Sequence, residues 1–316
     1  MLTWPDVGTF NTGLAITDDI TISSRHHVRL SAKAAWQRQQ VKSDEGFKAL
    51  SIYFPGMDRS RSRLVGRLAA SYAYEHRGWT LAVGTGYGTR APTVTESYGY
   101  FLNNTFDQYD YIGNPSLKNE KAVEANAALG WRDKQVAVKA ETNVFFFQDY
   151  IIGCPDTRLA AMTIGAAGVK VYQHLSTAQI LNASLTADCH LTEWLRWENR
   201  LTYSYGQDSS GERLPLIAPL SYLGNLRFHK SCIEAGGGVR MAARNSRCGA
   251  AYGETPTAGY AVWHLNIGGH FLLGGVGADL RLGVENLFDR YYSTYSDWNH
   301  IPQKGRNVYL HAAFRL

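Results

Sequence analysis

The sequence predicts an all-β fold, an antiparallel transmembrane β-barrel, on three observations. Apolar and polar residues alternate with period two in segment after segment, connections switch strictly between very short and long, and aromatics gather near strand ends. Composition agrees: Tyr (19), Gly (31) and Trp (8) are plentiful while Pro (9) and Met (4) are sparse, which suits strands better than helices. No apolar run of about 18 residues occurs, so a transmembrane helix is excluded. A mean hydropathy of -0.27 does not argue against a barrel, whose lipid-facing residues alternate with polar ones.

Thirteen strands are predicted, at 9–24, 26–39, 63–75, 79–90, 119–131, 135–151, 169–188, 195–206, 218–229, 233–243, 258–271, 277–288 and 306–316. In the second, Val28, Leu30, Ala32, Ala34 and Trp36 form one apolar row against Arg29, Ser31, Lys33 and Gln37. In the third, Leu64, Leu68, Ala70, Tyr72 and Tyr74 oppose Arg63, Arg67, Ser71 and Glu75. The fourth sets Trp79, Leu81, Val83 and Tyr87 against Gly84, Gly86 and Gly88. Similar rows follow at Val123 to Trp131, Val136 to Phe146, Leu195 to Tyr205 and Leu280 to Val284.

A soluble sandwich shows the same alternation, so the connections must decide. Those at 76–78, 132–134, 191–194 and 230–232 are tight, whereas 40–62, 91–118, 153–168, 207–217 and 244–257 are long. Short periplasmic turns and long extracellular loops have this asymmetry. Trp36, Trp79, Trp131, Trp194, Trp197, Tyr205, Trp263 and Phe271 fall where interfacial girdles would lie.

Bacterial single-chain barrels have an even strand number, so an odd count implies that the barrel begins before Met1 and that the sheet has two edges to close. The opening Met1-Leu2-Thr3-Trp4-Pro5-Asp6 has neither the basic start nor the apolar core of a secretory leader. Residues 1–316 are therefore expected to be the carboxy-terminal portion of a larger barrel, without a signal peptide.

Other chemistry is not indicated. The net charge of +5 is dispersed, so no nucleic-acid footprint is predicted. Cys154, Cys189, Cys232 and Cys248 are too widely spaced for a zinc motif and too few for a disulfide scaffold. Cys154 and Cys248 both fall in long loops; a bridge between them is left open, with nothing in the spacing to support it. No nucleophile elbow, Walker loop or His-Glu-x-x-His pattern occurs, and no enzyme, cofactor or metal site is predicted. Gly274 to Asp279 matches one copy of a calcium-binding nonapeptide, a motif that works only in stacked repeats, and is read as a turn. His264 and His270 alternate with apolar residues, as a polar barrel lining would.

Two groups of residues carry a resemblance. Near the end, Gly283-Val284-Glu285-Asn286-Leu287-Phe288-Asp289-Arg290-Tyr291-Tyr292 precedes Pro302-Gln303-Lys304-Gly305-Arg306. Earlier, Arg90-Ala91-Pro92 and Asn114-Pro115-Ser116-Leu117 flank one large loop. Together they resemble the TonB-dependent outer-membrane receptors. The resemblance implies a barrel of roughly 22 strands, a location in the bacterial outer membrane, and uptake of an iron chelate such as a siderophore or haem, energised by the TonB complex. The plug domain and coupling segment of that family are missing here. Cobalamin, copper or glycan uptake, a passive pore and an inactive truncated gene product are the alternatives.

Within the motifs, Asn286, Leu287, Phe288, Gly305 and Arg306 are read mainly as setting the last hairpin. The final lipid-facing row, Val308, Leu310, Ala312, Phe314 and Leu316, ends in leucine where the family usually has an aromatic, which bears on recognition by the barrel-assembly machinery. Pro92, Pro115 and Leu117 belong to the paired boxes. Haem receptors carry a histidine between these boxes; here Thr93 to Gly113 holds none, and Tyr98, Tyr100, Phe101, Phe106, Tyr109 and Tyr111 instead. Tyrosines can stack on a macrocycle or bond an iron chelate. Arg90, Tyr98, Tyr100, Tyr109, Tyr111 and Asn114 are the expected ligand contacts, against the plainer reading of an aromatic loop packed on itself.

Overall fold

A computed structural model describes residues 4–315. Met1 to Thr3, half of the opening segment discussed above, and Leu316, the expected last lipid-facing residue, lie outside it. All thirteen expected strands form, and two short ones are added. In chain order they are β1 (Val7–Ser23), β2 (His26–Val41), β3 (Ser60–His76), β4 (Trp79–Arg90), β5 (Leu102–Asn104), β6 (Tyr109–Ile112), β7 (Glu120–Arg132), β8 (Val136–Pro155), β9 (Gly168–Thr192), β10 (Leu195–Asp208), β11 (Ser221–Lys230), β12 (Ile233–Ala242), β13 (Tyr260–Leu273), β14 (Val276–Glu285) and β15 (Asn307–Arg315). Thirteen of them run as an antiparallel meander, β1-β2-β3-β4-β7-β8-β9-β10-β11-β12-β13-β14-β15. Among the described residues, β1 and β15 each have one neighbour, so both edges of the sheet are open.

Pairing aligns the rows read from sequence. Trp36 lies opposite Leu64, Leu68 opposite Tyr87, Tyr87 opposite Val123, and Val123 opposite Phe146. Side chains that are directly opposite share a face, so one apolar surface runs across the sheet. It is bare: Leu14 is 70% exposed, Leu68 61% and Leu310 72%. A sandwich would bury these rows against a second sheet, and a soluble protein cannot leave such a surface in water. Hydrocarbon is the environment that fits.

The other face is polar and internally paired. Arg29 meets Asp19 at 2.5 Å, Arg67 meets Glu124 at 3.1 Å and Arg281 meets Glu234 at 2.9 Å. Buried apolar side chains gather instead at the extracellular ends, in two small clusters built on Val41, Leu50 and Tyr98, and on Phe101, Ile112 and Val169.

The elements differ from expectation in several places. The strand predicted to reach residue 288 stops at Glu285, because Asn286 adopts φ 48° and turns the chain. Strand β8 runs past its expected end at 151 and stays paired with the start of β9, Cys154 opposite Val171 and Pro155 opposite Lys170, while β9 runs past its expected end at 188 to Thr192. At 25 residues β9 is about 80 Å long, far beyond what a membrane needs, so its first residues stand outside the bilayer. The loop at 40–62 contains a helix, α1 (Asp44–Tyr53), whose N-cap Ser43 accepts the Gly46 N–H.

Candidate functional site

The 91–118 loop leaves the sheet between β4 and β7 through a narrow neck made by the two boxes. Helix α2 (Val94–Tyr98) opens with Thr93 as its cap: the Thr93 hydroxyl accepts the Glu96 N–H at 3.2 Å and Glu96 accepts the Thr93 N–H at 2.7 Å. Arg90, at the end of β4, forks between Glu96 at 2.7 Å and both Glu120 oxygens at 3.3 and 3.1 Å. Gly113 and Asn114 close the loop by donating backbone N–H groups to the carbonyls of Gly99 and Glu96. Strands β2 and β3 then clasp both boxes by their main-chain oxygens: Gln39 donates to Pro92 O at 3.1 Å, Arg63 to Leu117 O at 3.3 Å, and Arg61 to Pro115 O. Asn114 uses its side chain to accept the Ser116 N–H at 2.9 Å.

Most boxed residues thus hold the loop's base. Arg90, Pro92, Asn114, Pro115 and Leu117 are committed to the neck. Tyr98 is fully buried against Val41 and Leu50, with burial pushing its phenol pKa up; it offers a ligand no surface. This corrects its expected place among the contact residues, and the reason is packing.

Beyond the neck, β5 and β6 form a hairpin, and β6 continues into a parallel pairing with the protruding start of β9, Tyr109 to Ile112 beside Gly168 to Val171. Here the loop meets Lys170. Its ammonium lies 2.6 Å from Asp107, and Asp107 also accepts the Tyr111 hydroxyl at 2.6 Å. Burial lowers the Lys170 pKa, with Asp107 working in the opposite sense; Tyr111 is raised by burial and by that carboxylate. A second carboxylate, Asp110, accepts Met162 N–H at 2.8 Å, Thr163 N–H at 2.9 Å and the Asn103 amide at 3.1 Å. Burial alone would raise Asp110, but these donors outweigh it and hold the group below the usual aspartate value.

Neighbouring loops join in. Tyr252 donates to Asp208 at 2.6 Å, and Glu254 accepts the N–H groups of Gly249 and Leu216, tying the 207–217 and 244–257 loops. The Tyr109 ring packs so closely on Gly253 that an added Cβ would sit 3.2 Å from it. Cys154 and Cys248 are free thiols, so the bridge left open above does not form.

Of the six expected contact residues, Tyr100, Tyr109 and Tyr111 remain partly exposed in the loop beyond the neck, while Arg90, Asn114 and Tyr98 build its base. Asp107, Asp110 and Lys170 are central here and are not singled out by the sequence; a lysine between Val169 and Val171 reads there as an ordinary polar strand position. Beneath the neck, a cavity of about 220 Å³ lies along the inner wall, lined by Arg67, Arg90, Glu120, Glu124 and Phe145.

At the last hairpin, Asn286 donates to Arg290 O at 2.9 Å and Lys304 O at 3.0 Å and accepts the Arg290 N–H at 2.7 Å. The residues around it, Leu287, Phe288, Gly305 and Arg306, lie in the β14–β15 connection. Phe288 is 69% exposed there.

A family model described as "TonB dependent receptor-like, beta-barrel" matches residues 2–287. The chain belongs to this family. This receptor barrel is therefore an outer-membrane β-barrel. Among solved structures it is similar to the copper transporter OprC (20% identity, 97% of this chain and 48% of that one, TM-score 0.81). It is also similar to the siderophore receptor PirA from Acinetobacter baumannii (14% identity, 98% and 54%, TM-score 0.62). The FrpB iron transporter from Neisseria meningitidis is a further match (13% identity, 97% and 55%, TM-score 0.59). At such identities the likeness is one of fold. The chain spans about half the length of these solved structures. No curated protein matches it.

Proposed function

We propose that this barrel is the carboxy-terminal portion of a receptor that takes up an iron chelate of the siderophore class, in a cycle energised by the TonB complex through segments outside residues 1–316. The missing strands of the receptor would pair with β1 and β15, and the plug would fill the polar lumen.

The observation that carries the ligand class is the mixture of groups beyond the neck. Partly exposed tyrosine rings lie there, with guanidinium and carboxylate groups lining the cavity below. Rings and hydrogen-bonding groups suit a whole, flat or rimmed chelate, held by stacking and by its outer oxygens. A bare copper ion instead asks for converging soft or imidazole ligands. The higher TM-score to OprC supports copper as the second reading, and the same titration separates the two.

The test is binding by the parent-length receptor in detergent, followed through quenching of intrinsic fluorescence, with a panel of ferric siderophores, haem and Cu(II). Saturable binding of a ferric siderophore, weakened in a Tyr100→Ala variant that removes a ring from the loop, is expected. Saturable binding of Cu(II) alone would overturn the chelate reading in favour of the second.

A further inference from the structure

The extracellular connections meet at one point, and the tie is a charge pair removed from water. Lys170 and Asp107 are each 2% exposed at the side chain. The Lys170 ammonium stands over three rings, 4.3 Å from the centroid of Tyr109, 4.7 Å from Trp298 and 5.5 Å from Tyr111. Asp107, Tyr109 and Tyr111 come from the β4–β7 loop, Lys170 from the protruding start of β9, and Trp298 from the β14–β15 connection. Next to Trp298, Asn299 donates to Thr105 O at 2.9 Å and Phe106 O at 3.3 Å, and the Phe106 and Trp298 rings lie 6.0 Å apart. Six strands separate β7 from β14 in the sheet. Contacts between their loops therefore bridge the mouth instead of following its rim.

A buried ion pair is a poor way to add stability, since desolvating two charges costs several kcal/mol per ion and apolar packing does the same task as well. What the pair does supply is an all-or-none contact: parting its members either strands a charge or carries both back to water. Two discrete arrangements are what a gate requires.

We propose that Lys170 and Asp107, caged by Tyr109, Tyr111 and Trp298, form a latch that holds the β4–β7 and β14–β15 loops closed across the extracellular mouth until ligand admission releases it. The role of the mouth rests on the receptor reading above; the latch itself rests on contacts within the loops.

A native thiol reports on it. Cys154 is half-buried and lies opposite Val171, next to Lys170, whereas Cys232 is exposed in the β11–β12 turn at the other end of the barrel. In the parent-length receptor in detergent, without ligand, the rate of N-ethylmaleimide addition at each thiol is read by peptide mass spectrometry. Lys170→Met, Asp107→Asn and Trp298→Ala should each raise the Cys154 rate about tenfold relative to Cys232. Burial holds the Cys154 thiol pKa up and Lys170 pulls it down, so loss of the Lys170 charge alone would slow addition and acceleration in that variant reports opening. The double variant Lys170→Met/Asp107→Leu, apolar on both sides, should return the rate toward that of the wild type.

Unchanged rates in the single variants overturn the latch. So does an effect of Lys170→Met without one of Trp298→Ala, which would confine Lys170 to local packing of β9. A double variant as open as the singles would mean general loss of packing and overturns it too. Because no ligand is present, failure here leaves the siderophore reading standing, and a failed ligand titration leaves the latch standing.

Discussion

Single side chains divide into those that hold the loop's base and those left partly exposed beyond it. Tyr98 is the sharpest case, fully buried, with no hydrogen-bond partner for its hydroxyl among the described residues. Tyr98→Phe should therefore leave both stability and ligand affinity near wild type, while Tyr98→Ala should cost about 3–5 kcal/mol through the cavity it opens, as measured by urea titration of the detergent-solubilised receptor. Asp110 gives a pH dependence whose sign follows from its lowered pKa. A depressed carboxylate contributes stability that is fully present above its unfolded pKa and is lost as pH falls through the folded value. The 156–167 loop, anchored to Asp110 through Met162 and Thr163, should stay resistant to pepsin until the pH drops below about 3.9. In Asp110→Asn that loop should already be cut at about pH 5, where the wild-type carboxylate is still charged.

At the scale of elements, the sheet was legible in the sequence and the loop architecture was not. Alternation in segments such as Val28 to Trp36 reports directly which side chains share a face, because the β period is two whatever the surroundings. Every expected strand consequently forms. The β5–β6 hairpin escapes because Leu102 to Asn104 and Tyr109 to Ile112 are too short to show a period, and the pairing of β6 with β9 joins residues about sixty positions apart. Asn286 ended a strand three residues early for a local reason, its positive φ, that alternation does not record. The boxes flanking the 91–118 loop read as a pair in the sequence, yet whether they touch a ligand or each other depends on partners in β2 and β3 that the motif itself does not contain. Gly113 tests the neck as a unit. A Cβ there would sit 2.5 Å from the backbone nitrogens of both Gly99 and Tyr98. Backbone cannot swing aside as a side chain can, so Gly113→Ala should open the neck and lower ligand affinity about tenfold or more, read in the same fluorescence titration.

For the whole molecule, the decisive property is that its two faces belong to different solvents. Leu68 and Ala69 are neighbours in the middle of β3 pointing opposite ways, the first toward lipid and the second into the lumen. Leu68→Lys should cost about 2–4 kcal/mol of folding stability in liposomes, and Ala69→Lys well under half of that; equal costs would mean that the faces are misassigned. The placement of the two apolar clusters, built on Leu50 and Tyr98 and on Phe101 and Ile112, carries a calorimetric consequence. Heat capacity rises on unfolding chiefly when apolar surface becomes hydrated. The lipid-facing rows are never hydrated while detergent covers them, so the loop clusters are where such hydration occurs as long as the barrel stays intact. The extracellular cap should accordingly melt first, as a small transition with a positive heat-capacity step, with the sheet following at higher temperature as a separate event.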